Sequence, residues 1–181
     1  MRKLPVPGWR TIEESSGMNF QTTMKRLPGS KCLGIGGAYD LVRAAVLGDF
    51  DPLQMAAVLG GMAMRGETRA EILGGATALL EHAQPFEHNH PLAIDTCGTG
   101  GDDLGSFNIS TASALLANAA GATVIKHGNR ASSSKCGSAD LLEALGVCID
   151  MPQVRARELL DELGITFLYA PLYHPGLASV G

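Results

Sequence analysis

The chain has 181 residues, 45% of them hydrophobic, and a formal net charge of −4. That length fits one domain or one and a half small ones with a core, and the acidic balance argues against a nucleic-acid partner. No apolar stretch approaches the roughly eighteen residues of a membrane span and no secretory pattern is visible, so the expected address is the cytoplasm, with no membrane partner.

Residues 1–37 show no sustained period and scatter Pro, Gly and Ser, which reads as a disordered or loosely attached extension. Arg, Ser and Thr with few acids also resemble an organelle transit peptide faintly, although Pro5, Pro7 and Trp9 spoil an amphipathic helix. Residues 1–38 hold six Lys/Arg against Glu13 and Glu14, a net of +4, which leaves −8 on the rest of a chain whose total is −4. A body so acidic must concentrate its cations wherever it holds an anion.

From Ala38 to about Ala83 the pattern is helical, within an expected helical domain over 38–87. Asp51-Pro52 offers an N-cap with a proline at the first helical position, and Thr68 to Glu71 spells a capping box. Met55, Val58, Leu59 and Met62 share one face of the first helix, and Ile72, Leu73, Ala76, Leu79 and Leu80 one face of the second. These stripes serve either a core or an interface. His82, His88 and His90, with Glu81 and Glu87, fall between Ala83 and Pro91 or beside it and read as linker residues rather than a metal site.

Beyond Pro91, over 88–181, apolar runs and helical patterns alternate: Leu92–Asp95, a helix from about Ser110, Thr123–Lys126, a helix over Ser138–Leu145, Val147–Ile149, a helix over Pro152–Leu163, and Ile165–Tyr169. Short connections with helical crossovers make this a parallel α/β sheet, whose strand-end loops gather on one edge. The four cysteines, Cys32, Cys97, Cys136 and Cys148, show no CxxC or Cys/His spacing and read as reduced.

Two loops carry the chemistry. After the first run comes Asp95-Thr96-Cys97-Gly98-Thr99-Gly100-Gly101-Asp102, and then Asn108-Ile109-Ser110-Thr111 at a helix start. Glycines leave amides uncovered, and the following helix adds partial positive charge, so the turn suits an anion. The second loop, Lys126 to Ser138, packs Lys126, His127, Asn129, Arg130, Lys135 and four serines between a strand end and a helix. Such a density of donors exceeds what a connector needs.

Together GTGGD with FNISTAS, KHGNR with SSK, GSAD and LLEALG, and FLYAPLYHP resemble the anthranilate phosphoribosyltransferase family of the tryptophan pathway, in order and spacing over Tyr39 to Gly181. The resemblance implies a small N-terminal helical domain followed by part of a parallel-sheet α/β domain of the nucleoside phosphorylase/phosphoribosyltransferase type. It implies an enzyme, a glycosyltransferase using Mg²⁺, with phosphoribosyl pyrophosphate and anthranilate as substrates and a homodimer formed through the helical domain. Amides of Gly98, Thr99, Gly100 and Gly101 would hold pyrophosphate, with Asp102 orienting ribose hydroxyls or a metal-bound water. Ser110 would be a metal ligand as well as a helix cap, Thr111 would offer a hydroxyl, and Asn108 would lie beside the donor. Lys126 and Ser138 would face phosphate, while His127, Asn129 and His174 would line the acceptor's path.

No catalytic residue stands out: Lys126 and His127 act by positioning, with His127 as a general base the weaker alternative. Arg130 either pairs with a carboxylate or braces its loop. The family's second half, with an arginine for the acceptor carboxylate and an Asp-Glu pair for magnesium, lies outside these 181 residues, so the expectation is weak or no turnover by this chain alone. The alternatives are a non-catalytic or split-enzyme half that binds the donor, and a pyrimidine nucleoside phosphorylase relative.

Overall fold

The computed structural model describes residues 20–26, 32–98, 107–131 and 136–176. Contacts divide the chain into two compact units, Met1–Ala83 with Gly176–Gly181, and Gln84–Pro175.

The first unit is helical: α1 (Phe20–Arg26), α2 (Gly34–Val46), α3 (Pro52–Arg65) and α4 (Arg69–Glu81). The Asp51 carboxylate caps α3 by accepting from the Leu53 amide at 2.9 Å, and the Thr68/Glu71 capping box forms in both directions. Helix α1 lies within the stretch whose composition reads as an extension. Its Phe20 and Met24 pack on the cluster of Leu33, Leu41, Val58 and Met62, which gives that segment an apolar reason to be helical.

Helix α4 turns its small-residue face to α2. A Cβ at Gly74 would collide with the Ile35 carbonyl oxygen and come within 2.9 Å of the Tyr39 nitrogen, so only glycine allows the approach. The expected stripe on α4 is therefore turned outward: Ile72 and Leu80 are 61% and 74% exposed, while Glu71, Gly74, Gly75 and Ala78 are buried. On α3 the reading is closer, with Met55, Val58 and Met62 buried and Leu59 exposed.

Glu71 organises this unit from inside. Its Oε1 accepts from the Leu33 amide at 2.9 Å and Arg65 Nη2 at 2.7 Å, and its Oε2 from the Thr68 amide at 2.9 Å and hydroxyl at 2.8 Å. Burial pushes the carboxyl's pKa up, but these donors, the Leu33 amide foremost, more than reverse it and hold it at about 2.

The second unit runs α5 (Ile109–Ala119), β1 (Val124–Gly128), α6 (Ser138–Ala144), α7 (Gln153–Leu163), β2 (Ile165–Tyr169) and α8 (Ala170–Tyr173). Strands β1 and β2 pair in parallel, Val124 opposite Ile165 through Gly128 opposite Tyr169. On the other edge of β1, Ile94 forms a parallel bridge with Val124. The sheet is thus parallel as expected but smaller. The run Leu92–Asp95 contributes only that bridge, because Leu92 sits in a turn and the Asp95 side chain takes the next β1 amide in place of backbone.

The expected strand Val147–Ile149 does not form. Gly146, at φ 85°, ends α6 in a left-handed turn, and the Val147 amide bonds the Leu142 carbonyl at 2.9 Å. Ile149 then drops into the cluster of Ala139, Leu142 and Phe167. Its apolar character belongs to a helix terminus rather than a ladder. Asn118 Nδ2 joins the ends of two helices, donating to the Ala122 carbonyl at 3.2 Å and the Leu163 carbonyl at 3.1 Å.

Candidate active site

The carboxyl end of β1 is where the two loops meet. Just past the Ile94 bridge, Asp95 Oδ1 accepts from the Cys97 amide at 2.8 Å and from the His127 amide at 3.3 Å, while Oδ2 stands 3.5 Å from His127 Nδ1. One carboxylate therefore stitches the glycine-bearing segment to the strand that carries Lys126 and His127. Thr96 adds a second stitch, its hydroxyl donating to the Ser110 carbonyl at 2.7 Å.

Lys126 sits on the inward face of β1 and is 3% exposed. Its Nζ donates to Ser110 Oγ at 3.3 Å and to the His127 carbonyl at 3.5 Å. Burial pushes the ammonium's pKa down, partly opposed by the neighbouring Cys97 and Asp95. An amine held this way is a cation with incomplete solvation, and a phosphate oxygen would supply what it lacks.

The N-cap of α5 is Asn108, whose carbonyl takes the amides of Thr111 and Ala112 at 3.0 Å each. Ser110 is the second helical residue rather than the cap, which leaves its hydroxyl to Lys126. Asn108 Nδ2 reaches the second loop, donating to the Gly137 carbonyl at 3.4 Å. Thr111 is 1% exposed, and its hydroxyl has no partner among the described residues.

On the second loop, Asn129 Oδ1 accepts from the Arg130 amide at 2.8 Å, and its carbonyl accepts from the Ala139 amide at 3.1 Å and Ser138 Oγ at 3.3 Å. The His127 ring faces Tyr173 edge-on, centroids 6.1 Å apart, and lies 6.0 Å from the His174 ring. Burial, then His127, lowers the His174 pKa. Arg130 is committed to carboxylates of its own chain, Asp140 at 3.1 Å and Glu143 at 2.8 and 3.0 Å.

The structure thus brings together Asn108, Ser110, Lys126, His127, Asn129, Ser138 and His174, with Gly98 at the open end of the Asp95 segment. Among the described residues, none comes within 4 Å of a Cβ added at Gly98. Thr99, Gly100, Gly101 and Asp102 lie outside the described residues. Residue-by-residue reading gave no role to Asp95, Thr96 or Asp140. Asp140 had a legible signal, an acid three positions after Gly137 at a helix start. The histidines read as linker residues make ordinary contacts within their own units: His82 Nδ1 with the Ala78 carbonyl at 2.8 Å in the first, and His90 Nε2 with Asp161 at 2.8 Å in the second.

Comparison with known proteins agrees with both units. Residues 90–181 match the family model described as the glycosyl transferase family a/b domain, and residues 33–83 match its helical bundle domain. An anthranilate phosphoribosyltransferase of Serratia proteamaculans is 50% identical over 158 residues, 87% of this chain and 47% of its own length. The crystal structure of anthranilate phosphoribosyltransferase from Thermus thermophilus superposes with a TM-score of 0.78 at 42% identity, covering 91% of this chain and 49% of that one. That from Saccharomyces cerevisiae, in complex with PRPP and Mg, gives a TM-score of 0.78 at 26% identity over 89% of this chain and 49% of that one. The chain therefore spans about half the length of the relatives it matches.

Proposed function

Because this chain belongs to the glycosyl transferase family defined by that helical bundle and a/b domain, we propose that it serves phosphoribosyl transfer from phosphoribosyl pyrophosphate to anthranilate in the tryptophan pathway. The supporting observation is the buried Lys126 ammonium beside Ser110, where Asp95 and Asn108 tie two loops together.

In this reaction the C1′–oxygen bond of the donor breaks and its electron pair leaves with pyrophosphate. The anthranilate amine gives its lone pair to C1′ and then loses a proton. The enzyme's task is to hold two anionic groups and place the amine behind C1′. Lys126 and the amide of Gly98 would take pyrophosphate oxygens, Asn108 would lie against the donor, and Ser138 would face the 5′-phosphate. His127, Asn129 and His174 would border the acceptor, whose ring fits the aromatic wall completed by Tyr173. His127 then positions the acceptor; the amine already has a usable lone pair.

Magnesium fits this site as a partly substrate-borne ion. Mg²⁺ commonly takes one or two protein oxygens and completes its shell with phosphate and water, and Ser110 Oγ is a hard, partly accessible oxygen of that kind. When bound, Mg²⁺ would neutralise charge on the departing pyrophosphate. Among the described residues no cluster of three or more His, Cys, Asp or Glu offers a closed cage.

A homodimer through the helical unit, in the cytoplasm, is part of this reading. The outward apolar residues Leu53, Met64, Ile72 and Leu80, between 61% and 91% exposed, support the interface.

The test is calorimetric titration of the chain with phosphoribosyl pyrophosphate and Mg²⁺, alongside loss of anthranilate fluorescence. Donor binding is expected, and Lys126→Met should weaken it by about tenfold or more, the effect of one charge-assisted bond. No donor binding by the wild-type chain, or an unchanged affinity in Lys126→Met, would overturn the assignment.

A further inference from the structure

The loop between β1 and α6 has both arms fastened to one carboxylate. Asp140 Oδ2 accepts from the Ala131 amide on the incoming arm at 2.9 Å and from the Gly137 amide on the outgoing arm at 2.8 Å. Its Oδ1 takes Arg130 Nη1 at 3.1 Å. Arg130 is itself held in a fork, Nη1 to Glu143 Oε2 at 2.8 Å and Nη2 to Oε1 at 3.0 Å. The arms come so close that a Cβ at Gly137 would collide with the Ala131 nitrogen and stand 2.7 Å from the Asn129 carbonyl oxygen. Residues 132–135, between the arms, lie outside the described residues.

We infer that Asp140 is a positioning residue for the proposed transfer: it holds the arm bearing His127 and Asn129 against the arm bearing Ser138, and Arg130 is its internal counterion rather than a ligand of donor or acceptor. The inference rests on the proposed function for its consequence, though not for its geometry. A bare carboxylate beside a bound polyanion would repel it. Here the amides of Ala131 and Gly137, then Arg130, lower the Asp140 pKa, and its oxygens are occupied by donors of its own loop. By the same count, the Arg130 guanidinium faces two carboxylates and has little left to offer a phosphate. The loop can then present Asn129 and Ser138 together from two arms fixed to one carboxylate.

The experiment compares the full chain with Asp140→Ala, Asp140→Asn, Arg130→Gln, Glu143→Gln and the Arg130→Gln/Glu143→Gln double variant. Amide hydrogen exchange without ligand should show the Ala131 and Gly137 amides losing protection in Asp140→Ala while the β1 amides keep theirs. Asp140→Asn, which retains one acceptor oxygen, guards against mere misfolding. Titration with phosphoribosyl pyrophosphate and Mg²⁺ should then show Asp140→Asn binding about tenfold more weakly. Arg130→Gln should lose less than Asp140→Asn but more than Glu143→Gln, since it removes the Asp140 contact as well as the fork, and the double variant should lose no more than Arg130→Gln alone.

Unchanged protection of the Ala131 and Gly137 amides in Asp140→Ala overturns the brace. Unchanged donor affinity in Asp140→Asn, with protection lost in Asp140→Ala, overturns the positioning role. A loss in Arg130→Gln larger than that in Asp140→Asn marks Arg130 as a ligand in its own right and overturns the counterion role. If the wild-type chain binds no donor, the proposed function falls and takes the positioning role with it, while exchange still decides whether the brace exists.

Discussion

Replacing Glu71 with glutamine should cost the helical unit about 3 kcal/mol at neutral pH. The carboxyl's pKa falls from 4.5 to about 2 on folding, and at ~1.36 kcal/mol per pKa unit that difference is worth about 3 kcal/mol. The side chain is fully enclosed, at 0% exposure, so solvent screening takes little away. The sign follows from proton binding: between about 2 and 4.5 the unfolded chain holds the proton and the folded chain does not, so the contribution is complete above 4.5 and is lost as pH falls towards 2.

Glutamine keeps the shape but turns an amide group toward donors, either the Thr68 amide or Arg65, and leaves Arg65 without its counter-charge. Urea denaturation followed by far-UV circular dichroism at pH 7, 4 and 3 checks both parts, with two transitions fitted separately if the units melt apart. A Glu71→Gln transition within 0.5 kcal/mol of wild type at pH 7, or one with the wild-type slope against pH below 4.5, refutes the reasoning.

Gly128→Ala should lose about 1–3 kcal/mol from overpacking, since its Cβ would meet Ser138 Oγ and lie 2.6 Å from Phe167 Cε2, and should weaken donor binding too; melting and calorimetry read the two effects. Asn118→Ala should cost about 1–2 kcal/mol, because the Ala122 and Leu163 carbonyls lose a shared donor; unchanged urea midpoints would count against it. Donor affinity should fall as pH rises at values below the 10.5 of an ordinary lysine, because burial makes Lys126 give up its proton early, and the apo chain should gain stability over the same window. Calorimetry from pH 7 to 10 should find this slope in wild type and not in Lys126→Met.

Where local chemistry decides the outcome, the chain is legible by eye. Asp51-Pro52 and Thr68 to Glu71 start helices as read, and Ile165–Tyr169 is a strand end to end, because caps and β-branched or aromatic runs act within a few residues. The failures share a different cause. Val147–Ile149 is apolar enough for a strand, but the turn at Gly146 commits the Val147 amide to the end of α6. For Ile72 and Leu80 the pattern leaves core and interface open, and the neighbour α2 takes the face with Gly74 and Gly75 instead. Periodicity identifies an apolar face and not what covers it. The site divides in the same way: donors such as Lys126 and Asn129 announce themselves by type, whereas Asp95 and Asp140, which hold the loops together, look like ordinary surface acids until their partners are known.

Those acids answer how an acidic protein can hold a polyanion. Around Lys126 and the second loop, Asp95 is occupied by the Cys97 and His127 amides, Asp140 by the Ala131 and Gly137 amides and Arg130, and Glu143 by Arg130. Each carboxylate bonds the chain's own donors, so part of the negative charge goes into holding the described segments of the loops together. Lys126, by contrast, bonds only a hydroxyl and a carbonyl among the described residues. A net charge of −4 is thus compatible with a site built around the buried Lys126 cation, because selectivity for an anion depends on the groups nearest to it and not on the sum over the chain.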